Sequence, residues 1–237
     1  IYNNLVQNKE ATKEFGEVFT SFEIINEMLD LLPSDVWNNP DLKWLDPCAG
    51  IGNFPIVIYD RLMVGLSEVI EDEELRRQHI LENMIHMVEL QDKNVFVLLS
   101  ALNPQNKYKL NLMNGSFLEK DFVIKAGTDW NIENFDIVIA NPPYNPNNMW
   151  KEFVELSTKI VSDNGYVLMI HPDSWRAAIS FNKIKNVIFS GISTLNMLGK
   201  SFDEASTYVD FYLWKSNKKD NLCEIRYNNE LINIVDL

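Results

Sequence analysis

Short apolar runs and helical periods alternate along nearly all of this 237-residue chain, and that alternation restricts the fold more than any other feature. LKWLDP (42–47), HMVEL (86–90), residues 109–113 of KLNLMNGSFLE, FDIVIA (135–140) and YVLMIHP (166–172) read as strands. Between them, IVIYDRLMVGL, EEL onward through HILENMI, QDKNVFVLLSAL and MWKEFVELSTKIV read as helices. Strands separated by helices build a mostly parallel sheet covered on both faces. TYVDFYLWK (207–215) alternates as a later strand, with CEIRY expected to pair beside it. Ahead of them all, Thr20 as N-cap and Glu23 three positions on fit a capping box. Ile24, Ile25, Met28, Leu29 and Leu32 follow at helical spacing, and Pro33 closes the helix. Residues 1–14 are polar and aperiodic and read as an arm or a short helix; 15–237 read as one domain.

With 46% hydrophobic residues the chain can build a substantial core, which sets disorder aside. No apolar run approaches the roughly 20 residues a bilayer requires, and no charged-then-apolar leader begins the chain. It opens on Ile1 rather than Met, as a domain excised from a longer protein would. Cys48 and Cys223 are too few for a disulfide framework or a four-ligand metal site, and His79, His86 and His171 lack partners at ligand spacing. A reducing, cytoplasmic setting in a prokaryote or phage is the expectation, with no metal and no membrane. Charge is the awkward fact: 21 basic residues face 34 acidic ones, a net of −13, and residues 1–100 carry −11 of it. A chain that grips a phosphate backbone unaided should be basic somewhere. The acidic stretch EVIEDEEL (68–75) reads as a solvated helix start.

In an open α/β sheet, ligands bind beyond the carboxyl ends of the strands. Four informative stretches fall there: DPCAGIGNF, Glu89, Gly115-Ser116-Phe117 and Asn141-Pro142-Pro143-Tyr144. In the first, Gly50 and Gly52 permit a tight turn and close backbone approach to a ligand. The Lys-Ser/Thr pair of a phosphate loop is absent, and Phe54-Pro55 fills the space a pyrophosphate would need. Asp46 would repel a phosphate and attract an ammonium, so a cofactor with an amino-acid tail suits this turn; a plain strand-to-helix turn is the bland alternative. Glu89 can accept hydrogen bonds from both hydroxyls of a ribose, or can be a solvated strand-end charge.

The fourth stretch is the most specific. Two prolines fix φ in succession, and the first pushes Asn141 into an extended conformation. The Asn141 carboxamide and the Pro142 carbonyl can then form a fixed pair of acceptors, suited to an –NH2 group. Tyr144 offers a flat face on which a heteroaromatic ring can stack. Two acceptors placed for the hydrogens of an exocyclic amine concentrate its lone pair toward an electrophile, which is electrostatic preorganisation with no tuned base.

With these residues in place, the chain resembles the DNA adenine-N6 methyltransferases that use S-adenosylmethionine, of gamma-type motif order, as in type II, Eco57I-like restriction-modification methylases. FGEVFTSFEIINEML comes first, LDPCAGIGNF second and NPPY third, and the resemblance spans residues 15 to about 215. It implies a Rossmann-like class I methyltransferase fold, a mostly parallel seven-stranded sheet with helices on both faces. By the same resemblance, Thr20 helps hold the methionine carboxylate, and Asp46 with the backbone at Ala49, Gly50 and Gly52 lines the methionine part. Glu89 binds the ribose, and Asn141, Pro142, Pro143 and Tyr144 form the turn that holds a flipped adenine. Relatives often have Asp-Phe where this chain has Ser116-Phe117; Phe117 can still pack on the cofactor's adenine, but Ser116 is a weaker acceptor than a carboxylate. An aromatic residue late in the domain covers the flipped base in the family. Phe211, Tyr212 and Trp214 are candidates here, with Phe211 on one face of its strand and the other two on the opposite face; ordinary core packing is the competing role.

The resemblance implies DNA adenine methylation within a restriction-modification system. Only about 22 residues follow Lys215, too few for a target-recognition region, so duplex recognition is expected from a further domain or a partner subunit. The rival readings are methylation of an RNA adenine or a protein glutamine, and a non-catalytic subunit that keeps the fold. His171-Pro172-Asp173-Ser174-Trp175 could border the substrate cleft or be a loop packed by Trp175.

Overall fold

The computed structural model describes residues 20–145, 147–177, 179–201 and 207–237. The arm at 1–14 and residues 15–19 of the first motif lie outside them. Helix α1 (Phe22–Leu29) buries Ile24, Ile25, Met28 and Leu29 as expected, but its cap is Ser21, whose hydroxyl accepts from Ile24 N–H at 3.4 Å. Thr20, the expected cap, has its hydroxyl occupied by Asn141 instead, at 3.0 Å. The helix also ends before Pro33, which leads into a 3₁₀ turn at Ser34–Trp37.

Strand β1 (Trp44–Asp46) is buried at all three positions. Helix α2 (Asn53–Gly65) follows the glycine turn; α3 (Glu73–His79), capped by Asp72, runs into a wider π turn at Ile80–Met84 and then into β2 (Ile85–Glu89). Next come α4 (Asp92–Leu102), β3 (Asn111–Asn114), α5 (Phe122–Asp129), β4 (Phe135–Ala140) and α6 (Trp150–Ile160). Strand β5 (Val161–Pro172), α7 (Asn182–Phe189), β6 (Ile192–Ser201), β7 (Tyr208–Lys215), β8 (Leu222–Tyr227) and β9 (Glu230–Asp236) complete the order.

The described residues form one sheet of nine strands in the order β3-β2-β1-β4-β5-β7-β6-β8-β9, not the expected seven. The first five strands in that order pair in parallel, and β7 lies antiparallel between β5 and β6. CEIRY does not join TYVDFYLWK: β8 pairs in parallel with β6 and antiparallel with β9, so this hairpin extends the sheet and makes it mixed. The hairpin turns through Asn228 and Asn229, both with positive φ (48° and 69°), the conformation that two-residue hairpin loops require. Asn196 of β6 pins the turn by accepting from Asn229 N–H at 3.1 Å.

Side-chain alternation along β4 divides the core. Ile137 and Ile139 face α1, α2 and the β2 approach, together with Phe211 and Leu213. Val138 and Ala140 face α5, α6 and α7, together with Phe122, Trp150, Phe153, Tyr212 and Trp214. Helices thus cover both faces, as the alternating sequence requires. On the first face, Gly65 lets α2 close against the 34–37 turn: an added Cβ would lie 2.3 Å from the Trp37 carbonyl oxygen. Gly65→Ala should therefore lower unfolding free energy by about 1–3 kcal/mol, although a helix alone would gain about 1 kcal/mol from the change. Urea denaturation checks this; an unchanged or higher midpoint would show that the contact gives way without cost.

Candidate active site

Register places the carboxyl ends of four strands along one edge. Leu45 pairs with Val138, Asp46 with Met87, and Glu89 with Asn114, so the loops after β1, β2, β3 and β4 emerge side by side. The strand order reverses between β1 and β4, and the crevice at such a switch is where an α/β sheet binds its ligand.

The loop after β1 is built around its acid. Asp46 Oδ1 accepts from Cys48 N–H at 3.1 Å, closing a short side-chain turn. Ala49 N–H ties the loop to β2 by donating to Val88 O at 2.9 Å. Gly50 and Gly52 both sit in the left-handed region, at φ 55° and 97°, so that the chain doubles back into α2. Gly50 N–H donates to Glu89 Oε2 at 2.8 Å, while Gln91 N–H and the Asn94 amide reach Oε1 at 2.7 and 3.3 Å. The Glu89 carboxylate is thus held against the glycine turn.

Electrostatics here are governed by burial. Asp46 is 2% exposed, and its Oδ2 meets no hydrogen-bond donor among the described residues. Desolvation pushes its pKa up to about 8, Glu89's charge adds to the rise, and the Cys48 N–H opposes it. Burial and the same two carboxylates raise the Cys48 thiol well above the ordinary thiol range. The thiol therefore stays protonated and is a donor, reaching Asn141 O at 3.3 Å.

That contact joins the glycine turn to the proline turn. A second contact joins both to the start of α1: Asn141 Nδ2 donates to Thr20 Oγ1 at 3.0 Å, and Asn53 Nδ2, in the first turn of α2, donates to Thr20 O at 2.9 Å. The structure thus brings together Thr20, Asp46, Ala49, Gly50, Gly52, Glu89 and Asn141, with Pro142 buried behind them.

The rings are placed differently. Tyr144 is 7% exposed and lies in the core with α1 and α2; its hydroxyl meets no partner among the described residues, and burial raises its pKa above the ordinary phenol range. Phe117 is 1% exposed, with its ring 4.8 Å from that of Phe122 and 5.2 Å from that of Phe153. Ser116 closes a local turn, its hydroxyl accepting from Leu118 N–H at 3.2 Å. Phe211, Tyr212 and Trp214 are all buried, in the packing role. Trp175 is likewise buried and packs its loop; His171 stacks on Trp150 at 4.0 Å and burial holds it down to about 3, so it is neutral and suits no proton transfer near neutrality. An apolar groove of about 720 Å³ between α1, α2 and Trp37 contains none of the site residues. Among the described residues no His, Cys, Asp and Glu group could hold a metal, and no helix is long and apolar enough to cross a membrane.

Cys48, Asn53 and Asn94 are the links that sequence reading missed. Cys48 carried a signal, since it stands two residues after a strand-end Asp at the spacing of an Asx turn; the other two carried none.

The backbone superposes on the M protein of the type I restriction enzyme EcoKI with a TM-score of 0.67 at 13% identity, over 92% of this chain and 50% of that one. The fold is class I methyltransferase-like α/β, with a mixed nine-stranded sheet. Residues 1–182 match the N-6 DNA Methylase family, and the chain belongs to it. It is 48% identical over 77 residues to an uncharacterized adenine-specific methylase of Mycoplasma pneumoniae, covering 31% of this chain and 18% of that protein. Over 227 residues it is 26% identical to the type II methyltransferase M.BsuBI of Bacillus subtilis, covering 86% of this chain and 42% of that one. The chain thus spans less than half the length of either relative.

Gly52 gives the site a direct test. At φ 97° a side chain is strained, and an added Cβ would meet Leu98 Cγ at 3.3 Å. Gly52→Ala should cost about 1–2 kcal/mol, which lowers Tm by about 2–8 °C in a domain of this size. Gly127→Ala, where the methyl meets only Ile132 O at 3.9 Å, should raise Tm instead. Scanning calorimetry on both variants reads the sign of each change.

Proposed function

We propose that this domain transfers the methyl group of S-adenosylmethionine to the N6 amine of an adenine swung out of a DNA duplex, within a restriction-modification system. The observation that carries the proposal is the meeting of the glycine and proline turns through Cys48 and Asn141, at 3.3 Å, on the edge where four strands end. Methyl donor and planar amine can then occupy neighbouring places.

The residues present fit the cofactor. Asp46 Oδ2 is buried and meets no donor among the described residues, and a buried carboxyl with its pKa at about 8 is stabilised by a neighbouring ammonium, such as that of a methionine tail. The glycine backbone and Glu89 stand beside it for the rest of the cofactor, and Thr20, Ser116 and Phe117 border the same strand ends. S-adenosylmethionine supplies an electrophilic methyl on a sulfonium, already a good leaving group. The protein's work is therefore alignment. Asn141 and the Pro142 carbonyl accept the two N–H bonds of the amine and turn its lone pair toward the methyl carbon. Bound there, S-adenosylmethionine would give its methyl to that nitrogen and leave as a neutral thioether, and the amine would release one proton to solvent. Tyr144 walls the base site; stacking a base on its ring requires its present neighbours to move aside. The net charge of −13 supports a duplex gripped by a recognition region or partner subunit rather than by this domain's own surface.

Methyl incorporation from labelled cofactor, compared across duplex DNA, RNA and a glutamine-bearing peptide, tests the reading; incorporation only into RNA or peptide would overturn it. Asn141→Ala should reduce turnover by about 100-fold or more, while the Thr20 hydroxyl left without its partner lowers stability by only about 1–3 kcal/mol. A variant as active as the parent would mean that the proline turn is a structural stop.

Asp46 adds a pH signature. With its pKa at about 8, the free carboxyl is mostly protonated at pH 7. An ammonium beside it favours the carboxylate, so cofactor binding at pH 7 should release close to one proton, and affinity should rise with pH until it levels off above about 8. Calorimetry in buffers of different ionisation enthalpy measures the release, and Asp46→Asn should remove both effects.

A further inference from the structure

We propose that Thr20 is a positioning residue for the Asn141 carboxamide, holding that amide where its oxygen can meet the reacting amine; this rests on the reading above. A primary amide has an acceptor end and a donor end of nearly the same shape, so half a turn about its last torsion exchanges them. An Asn141 that presented its NH2 to an exocyclic amine would oppose donor to donor and undo the alignment. Its neighbours must therefore hold it.

Thr20 is placed to do so. It is 3% exposed, and its Oγ1 accepts from Asn141 Nδ2 at 3.0 Å. Its own position is fixed independently of that hydroxyl, because Asn53 Nδ2 grips its carbonyl at 2.9 Å from the first turn of α2. The main chain of Asn141 is held from the other side by the Cys48 thiol. Amide and backbone of one residue are thus tied to both segments that flank the cofactor site. The helix cap is the neighbouring Ser21, so the Thr20 hydroxyl is not used for capping. A Thr20 that served only to contact the methionine carboxylate would have no need of Asn141.

The two roles separate in measurement. Thr20→Val keeps the shape and removes the acceptor. At saturating cofactor it should lower kcat about 10- to 100-fold while cofactor Kd changes less than about 2-fold, and Thr20→Ser should restore activity to within about 3-fold of the parent. Adding Thr20→Val to Asn141→Ala should cost nothing further, since Thr20 acts through Asn141. A raised Kd with unchanged kcat, or full additivity in the double variant, would overturn the proposal and return Thr20 to the cofactor. The side-chain amide signal of Asn141 in ¹⁵N-labelled protein gives a readout besides activity. Its two proton shifts should be well separated in the parent and in Thr20→Ser, and should converge in Thr20→Val, or in Thr20→Ala if the valine variant does not fold; signals that do not change would also overturn the proposal. A parent protein that transfers no methyl group would overturn the reading of function instead, and the amide signal would still decide the role of Thr20.

Discussion

Everything at the site depends on the height at which β4 ends beside β1. That height is set below the strands, where Lys43 N–H donates to Asp136 Oδ2 at 2.8 Å and Lys43 O accepts from Asp136 and Ile137 N–H at 2.8 and 3.1 Å. From this clamp the two strands run in parallel, Trp44 beside Ile137 and Leu45 beside Val138. Cys48 then arrives opposite Asn141. A slip of one residue would send Ile137 and Ile139 to the wrong face and carry the proline turn out of reach of the thiol. Because alternate residues of β4 fill two different cores, such a slip would exchange the side chains each core receives, so the register is strongly held.

The buried polar groups gathered there set the character of the site. Native interiors satisfy nearly all buried donors and acceptors, and the exceptions call for an explanation. Asp46 Oδ2 and the Tyr144 hydroxyl are exceptions within one neighbourhood, and a second carboxylate, Glu89, lies close enough to raise the pKa of Asp46. A buried carboxyl beside the Glu89 carboxylate favours a cation, which would draw Asp46 into its charged form, over a phosphate. The glycine turn and helix start of a dinucleotide fold are present, yet their electrostatics are inverted. That inversion separates a sulfonium-bearing amino acid from a nucleotide phosphate as the natural occupant.

How much of this was legible follows from range. Strands such as FDIVIA and HMVEL could be read because turn chemistry bounds them closely. Strand β6 could not: its inward positions include Thr194 and Asn196, both buried, so the alternation of apolar residues fails where polar side chains make specific bonds. Strand β9 hides in a segment whose apolar residues Leu231, Ile232 and Ile234 are all exposed, with only Asn228-Asn229 to mark the turn before it. Without these two strands the sheet counted seven. At the site, the choice of residues was legible from spacing and resemblance, but the bonds were not, since Thr20 and Asn141 stand 121 residues apart and Cys48 and Asn141 stand 93 apart. The cap shows the same limit: Thr20 and Ser21 are both capable of it locally, and in the structure Ser21 takes it while the Thr20 hydroxyl meets Asn141.

The proline turn also carries the chain from one face of the sheet to the other. Tyr144 is anchored in the core under α1 and α2, whereas Trp150, six positions on, is anchored in the opposite core and stacked on His171 at the end of β5. Rigid prolines before the segment between them keep Asn141 in place whatever that segment does, because Thr20 and Cys48 hold that residue from the other direction. If a base is to stack on Tyr144, the movement required is then local: the ring must leave its core while Asn141 and Trp150, each held by separate contacts, stay where they are. The arrangement divides the work between an acceptor fixed by long-range bonds and an aromatic wall, with the rigid double proline between the two.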